Sequence, residues 1–352
     1  MNTNHLPTTM RAAVLRGPRE MSIESVLLPQ LASNEVLVEV EANGLCGSDV
    51  HCYTGERVLE YPMVLGHEIA GHIVAAGANV PSGRLGERVS VEPNFGCGEC
   101  ALCARGLERI CLRKQTIGIT RWGGLAEYVA VPHDYAWSIP ETLALRDAAT
   151  IEPTTVGVHA FSRAQAAPGA TIAVIGCGGV GLLIVTIAVA SGNRVVVMEP
   201  NPARRAAALA AGAVQYSEAR NANEARAFFE QEGAVAIFEC AGIHATTQLV
   251  LDAAPPGTRI VLVGLAMEDV TFNPLRFVRQ ELEIRGTLIY EHPTDYPVTI
   301  GLIASGKLAP GATASEPQPL ESAASLLEAM AAGKLNAKPI ISPRNHAMQE
   351  NG

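Results

Sequence analysis

The chain has 352 residues, 48% of them hydrophobic and 17% charged, with a formal net charge of −9. That length and apolar content suit two domains with a substantial core and exclude a disordered chain. The acidic balance argues against nucleic acid or an anionic membrane surface as partner, and no apolar run of about twenty residues suggests a membrane span.

In chain order, residues 1–8 are polar and read as frayed. The opening MNTNHLPTTMR lacks the apolar stretch of a secretory signal, so a cytoplasmic location is expected. From Met10 the pattern is all-β: MRAAVLR, EVLVEVEANGL, EIAGHIVAAG, ERVSVEP and LAEYVAVP, separated by Gly, Pro and Asn. These runs predict a partly closed barrel. Cys46-Gly-Ser48-Asp-Val-His51 closes the second run and Gly66-His67-Glu68 opens the third, so a thiolate and an imidazole stand at two strand ends joined by a loop. They are plausible partial ligands for a metal with an open coordination position.

Cys97-x2-Cys100-x2-Cys103-x7-Cys111 follows. Four thiolates at that spacing can close a tetrahedral shell around one zinc and leave no position for chemistry. The segment GCGECALCARGLERIC has few large apolar residues, so metal binding would supply its folding energy. An iron–sulfur cluster or two disulfides are the rival readings. Eight cysteines without a secretion signal argue against the disulfides, and nothing else suggests electron transfer.

Helical character begins around Asp147–Ala160. Thr171–Ile175 then reads as a buried strand, ending in the G-x-G-x-x-G turn Gly176-Cys177-Gly178-Gly179-Val180-Gly181. A helix to Ala190 follows, then a strand Arg194–Met198 and an acid, Glu199. This is a dinucleotide-binding fingerprint in its required context. The first glycine makes the tight turn, the second lets backbone N–H groups approach a pyrophosphate, and the third lets helix pack on strand. The helix N-terminus adds positive potential. Glu199, 23 residues after Gly176, can accept both ribose hydroxyls of NAD, whereas a 2′-phosphate would meet like charge. Further strands are expected at Ala234–Cys240, Arg259–Val263 and Glu283–Leu288. Helices are expected at Pro202–Ala211, Ala222–Glu232, Asp295–Ser305 and Leu320–Ala332, and KPIIS ends the pattern as a strand. Cys52, Cys177 and Cys240 read as packed thiols, and His72 as a surface or strand-pairing residue.

With these residues assembled, the chain resembles the zinc-dependent medium-chain dehydrogenase/reductases, in their polyol branch (sorbitol, threonine and butanediol dehydrogenases). The resemblance runs from about Met10 to Ile341. It rests on CGSDVH, GHE, the four-cysteine lobe, Ile151-Glu152-Pro153 with VGVHA, and the glycine fingerprint, all in family order. It implies an α/β protein: a GroES-like β-barrel catalytic domain from residues 1–155 and 295–352, with a Rossmann NAD-binding domain at 156–294. It also implies two zinc ions, NAD, a small-molecule alcohol or polyol substrate, and a homotetramer or homodimer.

Residue by residue, Cys46 and His67 match the constant ligands of the catalytic zinc. Glu68 and Glu152 match acids that bind that zinc or its water, while Cys97, Cys100, Cys103 and Cys111 match the structural site. Ser48 and His51 match a proton relay from the substrate oxygen. Tyr53 and Tyr290 match pocket-lining positions, and His159 a structural hydrogen bond. Gly176, Gly178, Gly179, Val180, Gly181, Glu199 and Arg204 match contacts to pyrophosphate and adenosine ribose. Val263, Leu265 and Leu288 match positions flanking the nicotinamide. The implied reaction passes hydride from a secondary alcohol to NAD and leaves a ketone. There are departures. Ile289 stands where sorbitol dehydrogenases carry a hydroxyl-binding arginine, which weakens a sorbitol assignment. Glu291 beside the pocket disfavours an anionic substrate. Glu87 replaces a common Asp, which reads as neutral. A zinc-free quinone-reductase type would lack the ligands present here, and a non-catalytic protein on the same fold would be expected to lose some of them.

Overall fold

The computed structural model describes residues 6–335 and 337–344. Most of the segment expected to fray, residues 1–5, lies outside the described residues. Two compact units emerge. One comprises residues 1–152 and 292–352, and the other Pro153–Glu291. The chain crosses three residues earlier each time than the expected 155/156 and 294/295 boundaries. At the return crossing the reason is local, because the His292 ring is hydrogen-bonded to Glu92 of the first unit.

The first unit is built on the strand Glu35–Gly44, whose apolar residues are buried on both faces. It pairs antiparallel with Glu68–Ala76 and Tyr128–Pro132, and near its end with Ile340–Ser342. Arg88–Val91 and Ala136–Ser138 extend the sheet beyond Glu68–Ala76, and Gln318–Pro319 extends it beyond Ile340–Ser342. The hairpin Thr9–Gly17/Glu20–Leu27 forms a second sheet with Met63–Val64. Alternate residues of Glu35–Gly44 feed two cores: Leu37 joins Leu15, Leu65 and Leu125, while Val36, Val38 and Val40 join Ile69, Ile73 and Val129. The register of the central pair sets Gly44 opposite Glu68, so the two strand ends that carry the sequence motifs meet.

The second unit is a six-stranded parallel sheet. Its order is Gln215–Ser217, Arg194–Met198, Thr171–Ile175, Ala234–Glu239, Arg259–Leu262 and Glu283–Gly286. Odd and even residues feed different cores. Ile172, Val174, Val195 and Val197 pack on one face, and Ala173, Ile175, Val196 and Met198 on the other. Burial on both faces is why these strands read as continuous apolar runs instead of alternating ones. The strand order reverses between Thr171–Ile175 and Ala234–Glu239, the place where such sheets bind nucleotides. Among the described residues, no helix is long and apolar enough to cross a membrane.

Candidate functional site

Cys46 follows the end of Glu35–Gly44, but the segment after it is not the expected loop. Gly47–Thr54 is a helix. Asp49, at its third position, accepts a hydrogen bond from Cys46 N–H at 2.9 Å, which satisfies one of the orphan donors of the helix start. The other Asp49 oxygen faces Gly66 N–H at 3.2 Å and His67 Nδ1 at 3.2 Å. One buried carboxylate thus ties both motif strands together and fixes the imidazole. His67 Nε2 is left pointing toward Ser48 Oγ, 3.3 Å away.

The Sγ of Cys46, a ring nitrogen of His67 and a carboxylate oxygen of Glu68 lie within 4.8 Å of one another. Burial would discharge His67, but Asp49 and then Cys46 hold it well above its ordinary value. Burial would likewise raise Asp49, and the His67 ring with the N–H groups of Cys46 and Gly66 brings it below its usual range. A soft sulfur, an imidazole whose second nitrogen is oriented by a carboxylate, and an acid oxygen form a donor set suited to zinc. Lys338 Nζ sits 2.6 Å from the carboxylate oxygens of Glu68 and 3.4 Å from Leu45 O. Glu152 is buried on the first turn of the helix Ile151–Ala164, outside the 4.8 Å group.

Ser48 and His51 are three apart on the new helix and so share a face. Ser48 is half-buried beside His67, whereas His51 is exposed and bonded to Glu56 at 2.6 Å. Tyr53 is packed into the core with Arg19 6.0 Å over its ring, and its hydroxyl is drawn to Glu328. Those partners give no support to the pocket-lining position expected for it. Tyr290 is buried in turn.

The four cysteines of the lobe form a second group. Cys100 Sγ is 3.5 Å from Cys103 Sγ and 3.7 Å from Cys111 Sγ, and Cys97 is 3.9 Å from Cys103. Two 3-10 turns, Cys103–Arg105 and Glu108–Ile110, carry the chain between the last two. The N–H of Glu99 lowers Cys97 to about 6, and Arg113 donates to its sulfur at 3.2 Å. Burial pushes Cys103 up to about 12. Four sulfurs this close to one another are a donor set that could close a tetrahedral shell around one zinc ion. Among the described residues these two clusters are the groups able to share an ion. Cys52, Cys177 and Cys240 belong to neither.

In the second unit, Gly176 adopts φ +84°, a left-handed conformation suited to glycine. A Cβ on Gly181 would collide with Gly176 O, so helix and strand meet there backbone to backbone. A Cβ on Gly178 or Gly179 would meet nothing within 4 Å, which leaves room in front of the helix Gly179–Ala190. Glu199 ends the next strand with its oxygens 2.8 Å from the N–H groups of Cys177 and Asn201. A carboxylate has lone pairs to spare for further donors. The open turn, the helix end and this acid fit a dinucleotide. Arg204 is exposed nearby on Pro202–Ala210. Backbone bonds from Val263 and Gly264 to Glu239 O place Val263 and Leu265 at the same edge, with Leu265 exposed and Leu288 at the border of exposure.

The chain matches the family model for the alcohol dehydrogenase GroES-like domain over residues 32–141 and that for zinc-binding dehydrogenases over 179–305. It is 36% identical to sorbitol dehydrogenase of Bacillus subtilis across 86% of this chain and 88% of that one. Galactitol-1-phosphate dehydrogenase of Escherichia coli superimposes with a TM-score of 0.88 at 28% identity, over 95% of this chain and all of that one. An Escherichia coli alcohol dehydrogenase solved with NADH gives 0.89 at 29%, over 96% of this chain and all of that one. The protein belongs to the zinc-binding alcohol dehydrogenase family, an oxidoreductase acting on CH–OH groups, and its similarity lies in the polyol branch. Sequence reasoning missed two residues of the site. Asp49 carried a signal, an acid three positions after the residue that opens a helix. Lys338 carried none.

Proposed function

We propose that this chain oxidises a secondary alcohol or polyol to a ketone with NAD, using a catalytic zinc held by Cys46 and His67 with Glu68 and Glu152 as the acids beside it, and a structural zinc held by Cys97, Cys100, Cys103 and Cys111. The observation that carries the reading is the Cys46–His67–Glu68 group, with its imidazole oriented by Asp49. Zinc bound there supplies Lewis acidity toward an alcohol oxygen, and bound NAD supplies the hydride acceptor. The protein's own part is proton handling and exclusion. Ser48, half-buried beside His67, accepts the substrate proton as its hydroxyl hands on its own, and exposed His51, paired with Glu56, is the end of that relay that returns a proton to solvent. Glu199 favours NAD over NADP by charge, with Arg204, Gly178, Gly179 and Val180 lining the rest of the nucleotide turn. Tyr290 serves the pocket. A homodimer or homotetramer in the cytoplasm fits the branch the chain resembles and its acidic composition.

The test is NADH formation across secondary alcohols, polyols, cyclitols and amino alcohols, with NAD and NADP compared. Turnover of one class, with NAD well ahead, is expected. A zinc-loaded, NAD-binding protein silent on every class would overturn the reading.

A further inference from the structure

Glu239 ends the strand Ala234–Glu239, beside the place where the strand order reverses, and its side chain is fully buried. Neither the metal clusters nor the proton relay makes use of it. Its Oε1 accepts from Ala241 N–H at 3.0 Å, Gly242 N–H at 3.1 Å and Thr246 Oγ1 at 2.7 Å, and its Oε2 faces Gly242 N–H at 3.3 Å. Its backbone oxygen accepts from Val263 and Gly264 N–H, each at 2.9 Å. One residue thus anchors the turn after its own strand through its side chain, and the turn after Arg259–Leu262 through its main chain. The two turns also touch. A Cβ on Gly264 would collide with Gly242 N and stand 2.9 Å from Glu239 Oε2. Burying an acid costs free energy that an apolar side chain would not. What the acid adds is a fixed shape for two turns that apolar packing would leave loose. The phosphate turn is fixed without it: Gly176 N–H bonds to Met198 O at 2.9 Å, and Cys177 N–H to Glu199 at 2.8 Å.

We infer that Glu239 is a positioning residue for the nicotinamide end of the cofactor, holding turns 240–243 and 263–265 in one shape and so setting the edge that carries Val263 and Leu265. This rests on the NAD reading above and deepens it. The adenosine end is served from another strand by Glu199, whose backbone donors are not those of Glu239. Glutamine is no substitute at 239. Its amide oxygen can take the three donors of Oε1, but its NH2 then points a donor at Gly242 N–H. The loss therefore falls on one end of the dinucleotide.

The experiment compares NADH with ADP-ribose, which lacks the nicotinamide, by calorimetry on the intact protein. Glu239→Gln is expected to weaken NADH about tenfold and to leave ADP-ribose within about twofold of the wild type. Thr246→Val, which removes only the hydroxyl, moves the same ratio in the same direction by about threefold, and Thr246→Ser restores it. Should Glu239→Gln fail to fold, the two Thr246 variants decide. NADH and ADP-ribose weakened equally, or neither weakened, overturns the inference, because general loosening of the sheet does not choose between them. A wild type that binds neither nucleotide overturns the NAD reading itself, a separate result.

Discussion

Asp49 divides two oxygens among three partners: the backbone of Cys46, the backbone of Gly66 and the ring of His67. Its loss should act through the metal. Outer carboxylates of this kind are worth roughly 10- to 100-fold in metal affinity. Asp49→Asn is expected to weaken zinc at the Cys46 site by that factor while leaving the four-cysteine lobe loaded, as read by chelator competition on the two sites. Equal loss from both would show general unfolding. Cys46→Ala or His67→Ala should abolish turnover and leave NAD binding intact by calorimetry; turnover surviving in either would sink the zinc mechanism. At this scale the sequence was legible wherever chemistry is local. Two candidate ligands at the ends of paired strands, four cysteines on one lobe and the glycine turn could each be read from spacing. Lys338 could not, because a lone lysine before a short apolar strand has no pattern until the strand register brings it to Glu68.

Among the elements, the βαβ half was the most readable, since strands buried on both faces and helices of ten residues or so leave long, distinct patterns. Ala222–Glu232 was legible to the residue, with Asn221 capping its start and Gly233 its end. Short elements were not. Gln215–Ser217 is a three-residue edge strand, and Gly47–Thr54 hides its polar face in a motif that looks like a ligand loop. The four-cysteine lobe stands apart energetically. Its segment contributes few large apolar side chains to any core, so on the zinc reading proposed above the metal would hold it. Stripping zinc with a chelator, or Cys103→Ser, is expected to make residues 97–111 exchange amide hydrogens orders of magnitude faster while the sheet Glu35–Gly44/Glu68–Ala76 stays protected. Protection of the lobe without metal would refute a zinc-dependent fold there.

Across the whole molecule, the chain leaves the first unit once and returns at His292. The returning ring stacks on Tyr135 with centroids 4.3 Å apart and bonds to Glu92, which also accepts from Trp137 Nε1 at 2.7 Å. Burial opposes charge on His292, but Glu92, with Glu108 and Asp134 farther off, raises it above 6.5. The protonated ring is therefore the form the fold favours. Its stabilisation is full below pH 6.5 and fades as pH climbs through the raised value. Burial lifts Glu92 above 4.5 against the pull of His292 and Trp137, so its effect also declines as pH rises. His292→Gln should lower the melting temperature by a few degrees, corresponding to about 1 kcal/mol, on the acid side of this window. The deficit should shrink toward alkaline pH. A deficit of constant size in a pH series of thermal melts would remove the pair from the account.

The ion pair between residues 68 and 338 also imposes an order of events during synthesis. At roughly 5–20 residues per second, the ribosome adds the lysine about 15 to 50 s after the glutamate. Throughout that interval the Glu68 acid has no ammonium to answer to. Arrival of Ile340–Ser342 is therefore the moment at which a carboxylate made early in synthesis gains the ammonium that lets it stay buried.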